Sequence, residues 1–231
     1  MSEVVRPLYE HPAFQEASGP ALRPGGAELT ARGLNLCGFG PGDRVADLGC
    51  GPGATLGLLT GRGLRALGLD ASAEFLARAR AEQPGTPLLR ARVEALPLTD
   101  GGLDGLCCEC VLSTLVDPGP VLAEMARTLR PGGRLLLSDL YVRRPGAAGG
   151  IAGCAAGARP LEDMEGLLRR RGLRPLHVED HSRALSELAG RLIFQHGSLD
   201  ALRNLTGGGG CGRRDPRDLG YCLIIAAKEA S

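Results

Sequence analysis

The sequence carries no excess of either charge: 27 Lys and Arg stand against 26 Asp and Glu, and no basic stripe runs along it. Nucleic acid therefore has no electrostatic footprint to recognise, and no such partner is expected. Nor is there an apolar run near the roughly 20 residues that crossing a bilayer requires, so no membrane partner is expected. The opening "MSEVVRPLYEH" lacks a charged segment followed by an apolar core, so no export signal is read and a cytoplasmic location is expected. No internal repeat and no separate second domain are visible. Eight cysteines, at 37, 50, 107, 108, 110, 154, 211 and 222, lack the dense spacing of a secreted disulfide scaffold. In a reducing compartment they serve as free thiols, metal ligands or reactive groups, and a free thiol most often packs as a small hydrophobe.

What is present is a regular alternation of short apolar runs with helical patterns, in a chain of 231 residues that suits one domain with a sizeable core. "RVADL" predicts a buried strand, and "ATLGLLTGR" a helix that starts on a glycine turn. "LRALGLD" predicts a second strand, followed by the amphipathic "SAEFLARARAEQ" with Ser72 as its N-cap. "PLLRARV" and "LDGLCCE" read as the third and fourth strands, "DPGPVLAEMARTLR" as a helix closed by "PGG", and "RLLLSDLYV" as the fifth strand. This βαβ order argues for a parallel sheet with helices on both faces. Further on come a helix in "PLEDMEGLLRRRG", a strand in "LRPLHVED", a helix in "ALSELAGRLIFQHGSLDAL" and a terminal strand in "YCLIIAAKE". The expected division is a helical cap over 1–43, a first half over 44–141 and a second half over 142–231.

A strand, then glycines, then a helix N-terminus is a place where a ligand comes close to backbone. In "VADLGCGPGATLGLL" the turn holds Gly49, Cys50, Gly51 and Gly53, and Asp47 ends the strand before it. Asp70 ends the second strand about 20 residues on, where an acid commonly holds ribose hydroxyls. "GCGPG" departs from the dinucleotide fingerprint G-x-G-x-x-G.

The ordered set "DLGCGPG", "GLDAS", "EALPLTDGGLDGL" and "VLAEMARTLRPGGRLLLSDL" resembles the class I S-adenosylmethionine-dependent methyltransferases, in the subgroup that acts on small molecules. The resemblance implies a seven-stranded Rossmann-like α/β sheet, mostly parallel, with an antiparallel last strand supplied by Tyr221–Lys228. It implies S-adenosylmethionine as cofactor and a small-molecule substrate. Asp47 would help hold the cofactor's amino group, and the turn from Gly49 to Gly53 would lie along its methionine portion. Asp70 would take both ribose hydroxyls, and Ala71 would border the adenine. The acid usually found near the adenine amine falls at Arg92, beside Val93, with Glu94 two residues later.

"CCEC", Cys107 to Cys110, ends the fourth strand where substrate would meet the methyl group. Formally it holds a C-x-x-C, but a redox pair usually opens a helix, so core packing is favoured over redox or zinc use. Period-two alternation places Cys108 and Cys110 on one face and Cys107 and Glu109 on the other, with Glu109 the candidate for a role near the cofactor. Cys154 and Cys211 stand in glycine-rich stretches with little core to fill. "IAGCAAGARPLEDMEGLLRRRGLRPLHVED" and "ECVLSTLVDPGPVLAEMARTLRPGGRLLLSDLY" are similar to arsenite methyltransferases, which implies that Cys154 and Cys211 are ligands of a soft metalloid substrate. Thr55 stands near the place where that family carries another cysteine. The acceptor is thus arsenite or another thiophilic metalloid, or else a small organic molecule such as a quinone methylated on oxygen, nitrogen or carbon. A non-catalytic cofactor-binding or metal-binding module is the reading from a different class. His177, His181 and His196 read as surface or capping residues, Arg169–Arg171 as a basic last helical turn, and "GGGG" as a linker or lid hinge.

Overall fold

The computed structural model describes residues 8–10, 12–143, 155–196 and 218–230. Cys154, Cys211 and the "GGGG" run lie outside the described residues, as does the side chain of His196. Two helices come first, α1 (Pro12–Ser18) and α2 (Gly26–Cys37). The alternating part follows as β1 (Arg44–Leu48), α3 (Ala54–Gly61), β2 (Arg65–Asp70), α4 (Ala73–Glu82), β3 (Leu88–Arg90), β4 (Leu103–Glu109), α5 (Gly119–Thr128) and β5 (Leu129–Val142). The chain then forms α6 (Leu161–Arg170), β6 (Leu173–Asp180), α7 (Ser182–His196) and β7 (Leu219–Lys228).

The strands form one seven-stranded sheet in the order β3-β2-β1-β4-β5-β7-β6. The first five strands pair in parallel, and β7 runs antiparallel between β5 and β6, as the resemblance implied. The central strands lie under helices on both sides and so read as near-continuous apolar runs. Their alternation still sorts the core. Ala46, Leu106, Cys108, Leu135, Leu137 and Ile224 pack with α5 and α6. Val45, Cys107, Leu136, Leu223 and Ile225 pack with α2 and α3 on the opposite face. Ser72 caps α4 as expected, its hydroxyl accepting from the Phe75 N–H at 3.3 Å.

Three expectations need correction. The third strand is only Leu88–Arg90, because it is the sheet edge and pairs on one side alone. "LRPGG" does not separate α5 from the fifth strand. Leu129 already pairs with Leu103, and the register shifts before Arg134 pairs with Gly105, so Pro131, Gly132 and Gly133 form an irregularity within β5. Cys110 does not share a face with Cys108. β4 ends at Glu109, and Cys110 adopts a left-handed φ of 56°, which carries its side chain to the core cluster that holds Cys107. Among the described residues no helix is long and apolar enough to cross a membrane.

Candidate active site

The C-terminal ends of parallel strands, near the point where strand order reverses, are where α/β sheets collect ligands. Here β1 lies between β2 and β4, and the loop leaving β1 is the glycine turn. Gly49, Gly51 and Gly53 all have positive φ. At Gly49 the requirement is twofold, since φ is 73° and a Cβ would lie 2.6 Å from Cγ2 of Val111. The turn is tied to the next strand by its own amides. Gly49 and Cys50 both donate to the Leu69 carbonyl, at 2.8 and 3.0 Å, and Gly51 N–H donates to Asp70 Oδ2 at 2.8 Å. The other Asp70 oxygen accepts from Ser72 N–H at 2.8 Å. Each oxygen keeps acceptor capacity beyond that bond. The carboxylate is therefore fixed in place and still able to accept hydroxyls.

Cys50 contributes backbone to the turn, while its thiol packs in the core and burial raises its pKa. Ala71 is exposed, and its carbonyl accepts from Arg90 Nε at 3.1 Å. Arg92 projects outward, 78% exposed, and pairs with Glu94 at 2.8 Å, with the half-buried Val93 between them. Their loop is clamped from α5: Arg127 donates to the Leu96 and Leu98 carbonyls, and Glu124 accepts from Leu96 N–H.

Period-two geometry projects a polar row onto the α2 and α3 face: Asp47 from β1, Glu109 from β4, Ser138 from β5 and Tyr221 from β7. Asp47 is 3% exposed and accepts no hydrogen bond from the described residues. Burial, then repulsion from Glu109, raises its pKa to about 8, with Asp70 adding and Arg23 opposing. Glu109 is saturated. It accepts from Thr30 at 2.9 Å, Thr55 at 2.9 Å and Ser138 at 3.1 Å, and pairs with Arg23 at 2.9 Å. Ser138 also meets the Tyr221 hydroxyl at 3.0 Å, and that hydroxyl meets the Cys110 thiol at 3.2 Å. Arg23 enters from the segment between α1 and α2, its side chain 8% exposed. Burial disfavours its charge, but attraction from Glu109, with lesser help from Tyr221, Asp47 and Cys110, leaves its pKa raised. Among the described residues its Nε has no partner, and an unmet buried donor costs on the order of 1–3 kcal/mol.

Sequence reasoning missed Arg23, Thr30, Ser138 and Tyr221, and met Thr55 only as a displaced cysteine. Ser138 and Tyr221 left a signal, as polar groups within apolar strands. Arg23 left none, because only the tertiary fold brings it under β4. His181 meets Glu179 at 2.9 Å and His177 is exposed, both away from the polar row. Among the described residues no cluster of three potential ligands could hold a metal ion.

A methyltransferase-domain family matches residues 46–137, the span that carries the glycine turn, Asp70 and Glu109. Residues 46–137 match the methyltransferase domain of class I S-adenosylmethionine-dependent enzymes, and the chain shares the fold of such enzymes. The chain is 34% identical over 170 residues to arsenite methyltransferase of Aquipseudomonas alcaligenes, covering 64% of this chain and 49% of that protein. It is 35% identical over 111 residues to malonyl-[acyl-carrier protein] O-methyltransferase of Serratia marcescens, covering 47% and 44%. Its fold matches Haemonchus contortus phosphoethanolamine N-methyltransferase 2, solved with phosphomonomethylethanolamine and S-adenosylhomocysteine. The TM-score is 0.73 at 18% identity, covering 94% of this chain and 56% of that one. The chain spans less than half the length of the curated relatives it matches. The site suits the family's cofactor on its own terms: a turn with positive φ at Gly49, Gly51 and Gly53 and open space beside Gly51, a fixed Asp70 carboxylate, and a buried Asp47 that accepts no hydrogen bond from the described residues.

Proposed function

We propose that this chain transfers a methyl group to a small-molecule acceptor seated beyond the C-terminal ends of β4 and β5. S-adenosylmethionine, when bound, supplies that methyl on an activated sulfonium, so little acid–base chemistry is asked of the protein. The observation that carries the reading is the Gly51–Asp70 hydrogen bond, which joins the glycine turn to the acid at the tip of β2. Asp70 would orient the ribose, Asp47 would face the amino group, and Ala71 and Val93 would flank the adenine. Arg92 and Glu94 would border it as an ion pair. Glu109 and Thr55 hold one another at 2.9 Å and so keep the floor of the site rigid, which favours positioning as the main contribution. The test is S-adenosylhomocysteine binding by calorimetry with wild type and Asp70→Ala. Loss of a bidentate, charge-assisted contact predicts about a 10- to 100-fold weaker complex in the variant. Equal affinity in both would refute the ribose assignment.

A second reading of the acceptor, trivalent arsenic, is favoured by the half-buried Cys110 thiol at the tip of β4 together with the 34% identity to an arsenite methyltransferase. Arsenite, cofactor and excess thiol should then yield methylated arsenic by mass spectrometry, with conversion lost in Cys154→Ser and Cys211→Ser. Full conversion in both variants would sink the metalloid role of those two cysteines and turn the search to organic acceptors.

A further inference from the structure

We propose that the cleft where β5 and β6 begin and β7 ends binds the phosphoryl group of a small phosphorylated molecule between Arg134 and Arg174. The site goes beyond methyl transfer and stands independently of it.

The register of the sheet sets the pair. Ala227 of β7 lies opposite Arg134 of β5 on one side and opposite Arg174 of β6 on the other. Directly opposed residues share a sheet face, so both arginines leave the same face with one alanine between them. Two strand spacings put their Cα atoms about 10 Å apart, a gap that two long side chains can close on one group. A cleft of about 330 Å³ opens there, with Gly132, Arg134, Arg174, Ala227, Lys228 and Glu229 in its lining. Small-ligand pockets measure roughly 300–1,000 Å³.

Charge selects the ligand. Three cations, Arg134, Arg174 and Lys228, line the cleft against one acid, Glu229. Among the described residues none of the four makes an ion pair, and neither arginine side chain makes a hydrogen bond. Lys228 Nζ donates to the Leu129 carbonyl at 2.7 Å, a bond that leaves its charge unbalanced. Arg130, whose Nη1 lies beside Gly132, is by contrast held by Asp104 at 2.6 Å. The position between the two arginines, where an acid would serve both, is an alanine.

Arg134 has one further neighbour. At Cys37, the end of α2, burial raises the thiol pKa to about 12 and the Arg134 charge opposes the rise. A helix C-terminus attracts a cation, which accounts for Arg134 but does not reach Arg174 across Ala227. Each guanidinium is a planar fork of N–H donors. A carboxylate, with two oxygens and one charge, fills one fork, whereas a phosphoryl group has three terminal oxygens and nearly two charges to share between both. Arg134 precedes Ser138 by four residues of β5, about 13 Å along the strand, so the cleft is separate from the polar row of Asp47, Glu109 and Ser138.

The test is calorimetry of inorganic phosphate and of pyrophosphate into the whole chain at fixed ionic strength. Wild type should bind both with a saturable one-site isotherm. Arg134→Gln and Arg174→Gln should each weaken binding about tenfold or more, the loss of a charge-assisted bond, and Arg174→Glu should abolish it. Arg183→Gln, which alters an exposed arginine paired with Glu187 on α7, should leave it unchanged. No saturable binding in wild type, or binding that survives both Arg134→Gln and Arg174→Gln, would overturn the proposal. Arg174 is exposed, so its two variants decide the matter even if Arg134→Gln gives no cooperative thermal transition. A chain that ignores both soluble anions but co-sediments with phosphatidylglycerol vesicles would put the phosphoryl group on a lipid surface and overturn the small-molecule assignment.

Discussion

Asp47 shows what a single residue contributes at the cost of stability. It stands on the central strand, faces Glu109, Arg23 and Asp70, and has its pKa raised from 3.8 to about 8. Between those two values the folded chain keeps a proton that the unfolded chain has released. Stability of the free protein therefore falls as pH rises through that window, by up to about 1.4 kcal/mol per pH unit. Asp47→Asn removes the slope. At pH 8 the variant should melt higher than wild type, and near pH 4 the two should converge, as scanning calorimetry across pH would show. An identical pH slope in both proteins would mean that Asp47 is ionised in the free state. The same substitution takes away the carboxylate proposed to face the cofactor amine, so the stabilised variant should bind S-adenosylhomocysteine more weakly. Higher stability paired with weaker binding is a common mark of a residue retained for function.

At the level of elements, the acceptor side depends on how the segment after β5 docks on the one after β4. Gly157 N–H donates to the Ser113 carbonyl at 2.7 Å, and a Cβ at Gly157 would lie 1.9 Å from the Leu115 carbonyl oxygen. Both contacts are backbone, so no side chain can yield. Gly157→Ala should lower stability by about 1–3 kcal/mol in a denaturant melt, the usual range for overpacking, and leave S-adenosylhomocysteine affinity unchanged. A loss of cofactor affinity as large as the loss of stability would show that this segment also supports the cofactor half. β1, α3, β2, α4 and α5 were legible because local signals agree there: apolar runs, a glycine turn, a serine cap and proline in a first turn. The turn and Asp70 were legible for the same reason, being one strand and one acid about 20 residues apart. Where local signals conflict with context, the reading slipped. "ARV" after Arg90 has a strand's composition, but only β2 is available to pair with it. Cys110 continues an alternating pattern on paper, yet its left-handed backbone ends the alternation one residue early. The Arg23–Glu109 pair joins residues 86 positions apart and had no local trace.

Taken whole, the molecule joins its N-terminal helices to the sheet through one buried charged cluster, in which Arg23 and Thr30 meet Glu109, and Thr55 bonds both charges. Ligand that completes the cluster should therefore stabilise the whole fold. For a one-site ligand at a hundred times its Kd, the expected gain is about 2.7 kcal/mol. In a chain of this size each kcal/mol raises Tm by about 2–4 °C, which predicts a shift of about 5–11 °C with S-adenosylhomocysteine. The shift should depend on pH, and the direction follows from the cluster. Burial and Glu109 hold the Asp47 proton up to about pH 8, Asp70 adds to that, and Arg23 opposes it. A ligand ammonium needs the ionised carboxylate, so binding below pH 8 must first expel the proton. At pH 6.5 that requirement weakens affinity by up to about thirtyfold relative to pH 8 or above, since each pH unit is a factor of ten. At a fixed ligand concentration the Tm shift should consequently grow from pH 6.5 to pH 8.5 in wild type and stay level in Asp47→Asn. Differential scanning fluorimetry on the two proteins decides it. A wild-type shift that is flat in pH would mean that the amino group is met by something other than Asp47, and a shift that shrinks with rising pH would reverse the assigned charge on the ligand.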